Sequence, residues 1–127
     1  MPKRTFWAAF GYAAQGIVYA LRTQRNMKIH AAAAVVVIAA AALLNLSWQR
    51  WVALLFAIAL VMALELVNTA LESVVDLASP EIQPLAKAAK DTAAGAVLLA
   101  AVFAAITGVI VFCGPLLELL GWGGAHQ

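Results

Sequence analysis

Residues 51–64 form an apolar run that by itself reads as a membrane helix, yet the chain continues it directly into Glu65, Asn68, Glu72 and Asp76. At about 100° per residue these four fall at roughly 0°, 300°, 340° and 20° around a helix axis, a single narrow polar stripe. Leu66, Val67, Ala70, Leu71, Val74 and Val75 keep the rest of the wheel apolar or small. A carboxylate near the bilayer centre costs about 2.5–3.5 kcal/mol even on the lenient insertion scale, so several on one face cannot look at lipid. The stripe must face protein, water or a bound cation, and ionisable groups at that depth mark a functional site.

The rest of the chain supports a membrane setting. It is 65% hydrophobic and 11% charged with a mean hydropathy of +0.94, where soluble domains carry about a quarter charged residues. The expected fold is an all-α membrane protein, a single domain over 1–127 with an N-terminal surface helix in 1–28 and spans at 29–46, 51–77 and 85–113. Residues 5–21 are apolar, but Gln15 interrupts them and Arg22, Arg25 and Lys28 follow at once, unlike the cleavage region of a signal peptide. That segment reads as an interfacial helix on the cytoplasmic leaflet, anchored by Phe6, Trp7, Phe10, Tyr12 and Tyr19. Lys3, Arg4, Arg22, Arg25 and Lys28 precede any acid in the sequence. Beside apolar spans, such a basic start argues for the anionic face of a membrane rather than for nucleic acid.

Asn45 to Trp51 reads as a short polar turn, and the two prolines Pro80 and Pro84 mark a second break, after which a helix resumes near Leu85. Gly114-Pro115 is expected to interrupt the last span. The distribution of Lys and Arg places the N-terminus and the 78–90 loop in the cytoplasm, with Arg50 alone on the other side and the C-terminus outside. At about 1.5 Å per residue Glu65 lies roughly 21 Å from Trp51, within hydrocarbon depth, while Glu72 at roughly 31 Å reaches the cytoplasmic interface. Ala96, Ala100, Ala104 and Gly108 recur every four residues, a ridge that lets another helix approach closely. Three spans make a thin bundle around four polar groups, which favours a homo-oligomer that buries the stripes between protomers. Cys113, the single cysteine, has no intrachain partner and reads as packing.

Glu65 and Glu72 stand two turns apart on one face, and a hard cation such as Mg²⁺ prefers carboxylate, carbonyl and water oxygens. His30, at a span boundary, reads as interfacial rather than as a ligand. Lys90 and Asp91 would ordinarily be a solvated helix start, but the topology puts them on the same side as Glu72 and Asp76. Carboxylates, a lysine and a membrane interface together suit a phosphoanhydride, although no G-x-x-x-x-G-K-[ST] loop and no protein-kinase motif set is present. A small homo-oligomeric cation or proton pathway through Glu65 and Glu72 is the alternative. It would place polar groups across the full bilayer, whereas the outer halves of these spans lack ionisable residues. A structural assembly protein accounts for Asn68 but not for three carboxylates with Lys90 and Asp91.

The stretch E-L-V-N-T-A-L-E-S-V-V-D, followed by A-K-A-A-K-D-T-A-A-G-A-V, resembles the signature of the small prokaryotic membrane lipid kinases, the diacylglycerol kinase and undecaprenol kinase family. Residues 10–17 and R-N-M-K-I-H at 25–30 extend the resemblance over nearly the whole chain. It implies a homotrimer in the cytoplasmic (inner) membrane that transfers the ATP γ-phosphate to a lipid hydroxyl, at sites built from neighbouring protomers. Position by position, Glu65 matches the catalytic base and Glu72 a metal-binding carboxylate. Asn68 and Asp76 match supporting polar residues, and Lys90 and Asp91 match nucleotide-phosphate contacts. Glu81 and Gln83 lie at loop positions near the nucleotide, and Tyr12 matches an aromatic contact on the surface helix. Gln24 stands where the family usually has a second metal-binding glutamate, so Mg²⁺ would be held more weakly. Thr5 occupies the place of a basic residue near the start of the surface helix, with Arg4 adjacent.

Overall fold

The computed structural model describes residues 5–122 and consists, among these, of four helices. They are α1 (Phe6–Thr23), α2 (Arg25–Leu43), α3 (Trp48–Ala78) and α4 (Pro84–Leu119). Lys3, Arg4 and the Gly-rich tail lie outside the described residues. Helices α2, α3 and α4 are each long and apolar enough to cross a membrane. With 31 and 36 residues, α3 and α4 extend about 46 and 54 Å, well beyond a hydrocarbon core of about 30 Å. Both therefore extend beyond an apolar layer of that thickness.

Local chemistry sets the ends. Thr5 caps α1, its Oγ1 accepting from the Ala8 N–H at 3.2 Å, so the residue standing in the place of a basic one serves the helix start. Gln24 alone separates α1 from α2, with extended backbone. The α2 terminus is a Schellman motif: Leu46 N–H reaches the Ala41 carbonyl at 3.2 Å and Asn45 N–H the Ala42 carbonyl at 3.2 Å. Asn45 supplies the left-handed residue, φ 51°, which its short polar side chain tolerates better than most. The motif folds Leu46 back onto Ala41, and with Leu54 and Val111 they form a buried apolar cluster at this end. The polar turn is thus shorter than expected, since α3 already begins at Trp48.

Two prolines behave differently from the sequence expectation. Pro84 does not precede α4 but opens it, at the first helical position where its missing N–H costs nothing. Pro115 does not interrupt α4, which runs on to Leu119. A proline removes one backbone donor from the ladder, and the following turn still closes, Leu120 N–H donating to the Leu116 carbonyl at 3.0 Å. Ser79 closes the 79–83 loop, its hydroxyl donating to the Glu81 carbonyl at 2.9 Å.

Short connections make α2, α3 and α4 antiparallel neighbours, with α4 packed most extensively on α3. The start of α2, the end of α3 and the start of α4 consequently share one end of the bundle. Helix α1 crosses that end, where Ala13, Gly16, Ile17 and Ala20 line a cleft with Leu66, Thr69, Ala70 and Ser73 of α3. Its aromatic residues Phe6, Trp7, Phe10, Tyr12 and Tyr19 are exposed. The small-residue ridge of α4 is turned partly inward: Ala100 is buried, Ala104 and Gly108 are half-buried, and Ala96 faces out. Cys113 is exposed rather than packed, because it lies on the outer side of α4, opposite to buried Val111.

Candidate functional site

The polar stripe of α3 is buried at its deep end by the chain's own helices. Glu65 is 2% exposed and Asn68 6%, while Glu72 is half-buried and Asp76 exposed. Within one chain the deepest carboxylate is already enclosed, whereas the outer part of the stripe is not. The cover comes from α2 and from small residues of α4, which let the helices close together. A groove of about 270 Å³ lies between them, lined by Asn26 and His30 of α2, Glu65, Asn68 and Glu72 of α3, and Ala94, Val97, Leu98 and Ala101 of α4.

Within it, the Asn68 amide donates from Nδ2 to Glu72 Oε1 at 3.3 Å. Among the described residues, Glu65 Oε2 and Asn68 Oδ1 have no hydrogen-bond partner. A buried acceptor left unmatched costs about 1–3 kcal/mol, more if charged, so these oxygens are kept for something besides stability. Thr69 and Ser73 instead turn their hydroxyls back onto the Glu65 and Thr69 carbonyls, both at 2.9 Å, and add nothing to the groove.

A second groove, of about 310 Å³, opens beside the first toward the 79–83 loop. It gathers Asp76, Ser79, Glu81, Gln83, Lys87, Lys90 and Asp91. Lys90 pairs with Asp76 across the α3–α4 contact, and Lys87 pairs with Asp91 one turn along α4. The Asp76–Lys90 pair therefore ties the end of the stripe to the lysine-bearing groove. On the opposite, deeper side the first groove adjoins an apolar cleft of about 270 Å³, and His30 and Ala101 line both.

Eight of the ten residues singled out in the sequence come together in these two grooves: Glu65, Asn68 and Glu72 in the first, Asp76, Glu81, Gln83, Lys90 and Asp91 in the second. Two do not. Tyr12 is exposed on α1 and lines neither groove. Gln24 sits in the α1–α2 link, where its Nε2 donates to Thr23 Oγ1 at 3.3 Å. Conversely, the structure adds Asn26, His30 and Lys87. Asn26 and His30 belong to R-N-M-K-I-H and stand four residues apart, one helical face; that spacing was the available signal.

The donors suit a hard divalent cation, since Glu65, Asn68 and Glu72 offer oxygens only. Among the described residues, no three His, Cys, Asp or Glu side chains converge closely enough to hold a metal by themselves.

A sequence profile of the family described as prokaryotic diacylglycerol kinase matches residues 11–112. The chain is 45% identical over 107 residues to the undecaprenol kinase of Bacillus subtilis, covering 84% of this chain and 87% of that protein. It is 52% identical over 113 residues to a diacylglycerol kinase of Synechocystis sp., covering 88% of this chain but 65% of that longer protein. These matches span both grooves.

Proposed function

Because the chain belongs to the prokaryotic diacylglycerol kinase family, a family of lipid kinases, we propose that it transfers the γ-phosphate of ATP to the primary hydroxyl of a lipid alcohol. The observation that carries this reading is the juxtaposition of a buried carboxylate with an uncommitted oxygen, Glu65, and a lysine-bearing groove joined to it through Asp76 and Lys90. A cation pathway would need polar groups along the whole bundle, and the opposite end is built from Ala41, Leu46, Leu54 and Val111.

In this mechanism the lipid's hydroxyl enters the first groove and Glu65 takes its proton as the oxygen attacks the γ-phosphorus; the bond to ADP breaks. General-base assistance of this kind is worth about 10²–10⁴ in rate. Lys90 and Lys87 meet the phosphate charge from the second groove, where Asp91, Glu81 and Gln83 border the nucleotide. Asn68 holds Glu72 in place. Glu72 would hold Mg²⁺, with Gln24 offering a neutral carbonyl oxygen, and the ion would supply electrostatic screening of the transferring group. The protein works as a homotrimer in the inner membrane, with α1 on the cytoplasmic surface and the N-terminus on that side.

The test is phosphate transfer from γ-labelled ATP by detergent-purified protein, with undecaprenol and diacylglycerol offered in parallel, with and without Mg²⁺. A labelled lipid that appears only with Mg²⁺ is the expected result, and the preferred acceptor identifies the substrate. A folded protein that labels neither lipid would overturn the reading.

A further inference from the structure

We infer that Gly108 is a specificity-determining residue: it holds open the inner end of the apolar cleft, so that one hydrocarbon chain of the lipid alcohol lies along the cleft while its hydroxyl stands in the polar groove at Glu65. This rests on the lipid-kinase reading.

The cleft, of about 270 Å³, lies among α2, α3 and α4, and Ala33, Ala34, Ile58, Ala101, Ala104 and Gly108 are among its walls. Ala101 also lines the polar groove, and Gly108 follows it by seven residues, about 10 Å along α4. The two spaces thus form one site with ends of opposite chemistry. At the polar end Glu65 lines the groove, is 2% exposed, and leaves Oε2 without a partner among the described residues, an acceptor that a hydroxyl donor would match. A lipid alcohol has the same order, one hydroxyl and then a hydrocarbon body. At the inner end, Gly108 sits within α4, where glycine weakens a helix relative to alanine. Yet a Cβ added there would meet nothing within 4 Å, so no other helix of this chain requires the glycine, and the space it leaves belongs to the cleft. Three residues on, Val111 enters the packed cluster; the bundle closes beyond that level, and a longer chain turns out into the bilayer past Gly108. A helix of a second copy is the other apolar occupant, but at 10–12 Å across it would fill more than twice the cleft's volume over the same length. Because lipid is as apolar as the cleft, selection here works through shape.

The experiment measures labelled phosphate transfer to geraniol, undecaprenol and dioleoylglycerol by the wild type, Gly108→Ala and Gly108→Phe, each checked for elution volume and melting temperature. Geraniol is short enough to end before Gly108, and the other two acceptors pass it. Gly108→Phe should lower kcat/KM for both long acceptors at least tenfold and change that for geraniol less than threefold, with Gly108→Ala between it and the wild type. A long-to-short ratio within threefold of the wild type's would overturn the inference. So would a shifted elution volume with equal losses on all three acceptors, which would assign this face to a second copy. In parallel, a long-chain primary alcohol bearing a mid-chain diazirine is photolysed with the detergent-solubilised wild type. Adducts should map to Ile58, Ala104 and Gly108 and fall at least fivefold with excess undecaprenol. Adducts chiefly on the exposed Val109 and Ile110, unchanged by undecaprenol, would overturn the inference whatever the variants do. Competed adducts in the cleft of a wild type that phosphorylates no lipid would keep the chain in its place and remove the kinase reading instead.

Discussion

The two ends of the bundle are built on opposite terms. At the α2–α3 turn, backbone groups are closed by a Schellman motif and Ala41, Leu46, Leu54 and Val111 pack without a polar side chain among them. At the other end, the same α3 buries Glu65 and Asn68 with oxygens unmatched and leaves Glu72 and Asp76 progressively open. One end closes its backbone turn and packs apolar side chains, and the other breaks the rule on buried polar groups, which is where function is expected to lie. A long helix shared by both ends lets the packed half hold the unsatisfied half in place.

The comparison can be broken most severely at Glu65. Glu65→Gln should lower phosphate transfer about 10²–10⁴-fold, measured under saturating lipid and ATP, while nucleotide binding stays within twofold. Stability should hold or rise, because a buried carboxylate becomes a neutral amide. Leu54, 3% exposed in the packed cluster, should show the reverse. Leu54→Ala removes contacts in a close-packed site and should cost about 2 kcal/mol, the low end for such truncations because lipid is as apolar as the core. Thermal unfolding in detergent checks it, and turnover per folded protein should be unchanged. Lys90→Met, which severs the tie to Asp76, should raise KM for ATP about tenfold. The smallest effect is expected at Gln24→Glu, where the Mg²⁺ concentration for half-maximal rate should fall several-fold. No change there would remove Gln24 from the metal's surroundings.

The polar end was readable from sequence because carboxylates are so costly on an apolar helix that their spacing alone defined a face; Glu65, Asn68 and Glu72 do share one groove. Helix existence was readable for the same reason, through long apolar runs. What escaped the sequence depends on how helices meet. His30 at a span boundary has the same local pattern whether it faces headgroups or Glu65, and only the register of α2 against α3 separates the two. Lys87, in the first turn of α4, carries no signal of its own in the sequence, and it lines the second groove beside the 79–83 loop. Pro84 and Pro115 both signal a break in isolation, yet one begins α4 and the other is carried within it. The sequence also did not show that Ala93, Val97 and Ala100 of α4 are buried within one chain beside the deep end of the stripe, while Glu72 and Asp76 stay more open.

The division between the ends is tested most directly by measuring labelled phosphate transfer and thermal unfolding on the same preparations of wild type, Glu65→Gln and Leu54→Ala. The account predicts a crossed result: Glu65→Gln loses transfer and keeps its melting temperature, and Leu54→Ala loses melting temperature and keeps its transfer per folded protein. Equal losses of both properties in both variants, or transfer by Glu65→Gln at the wild-type rate, would contradict it.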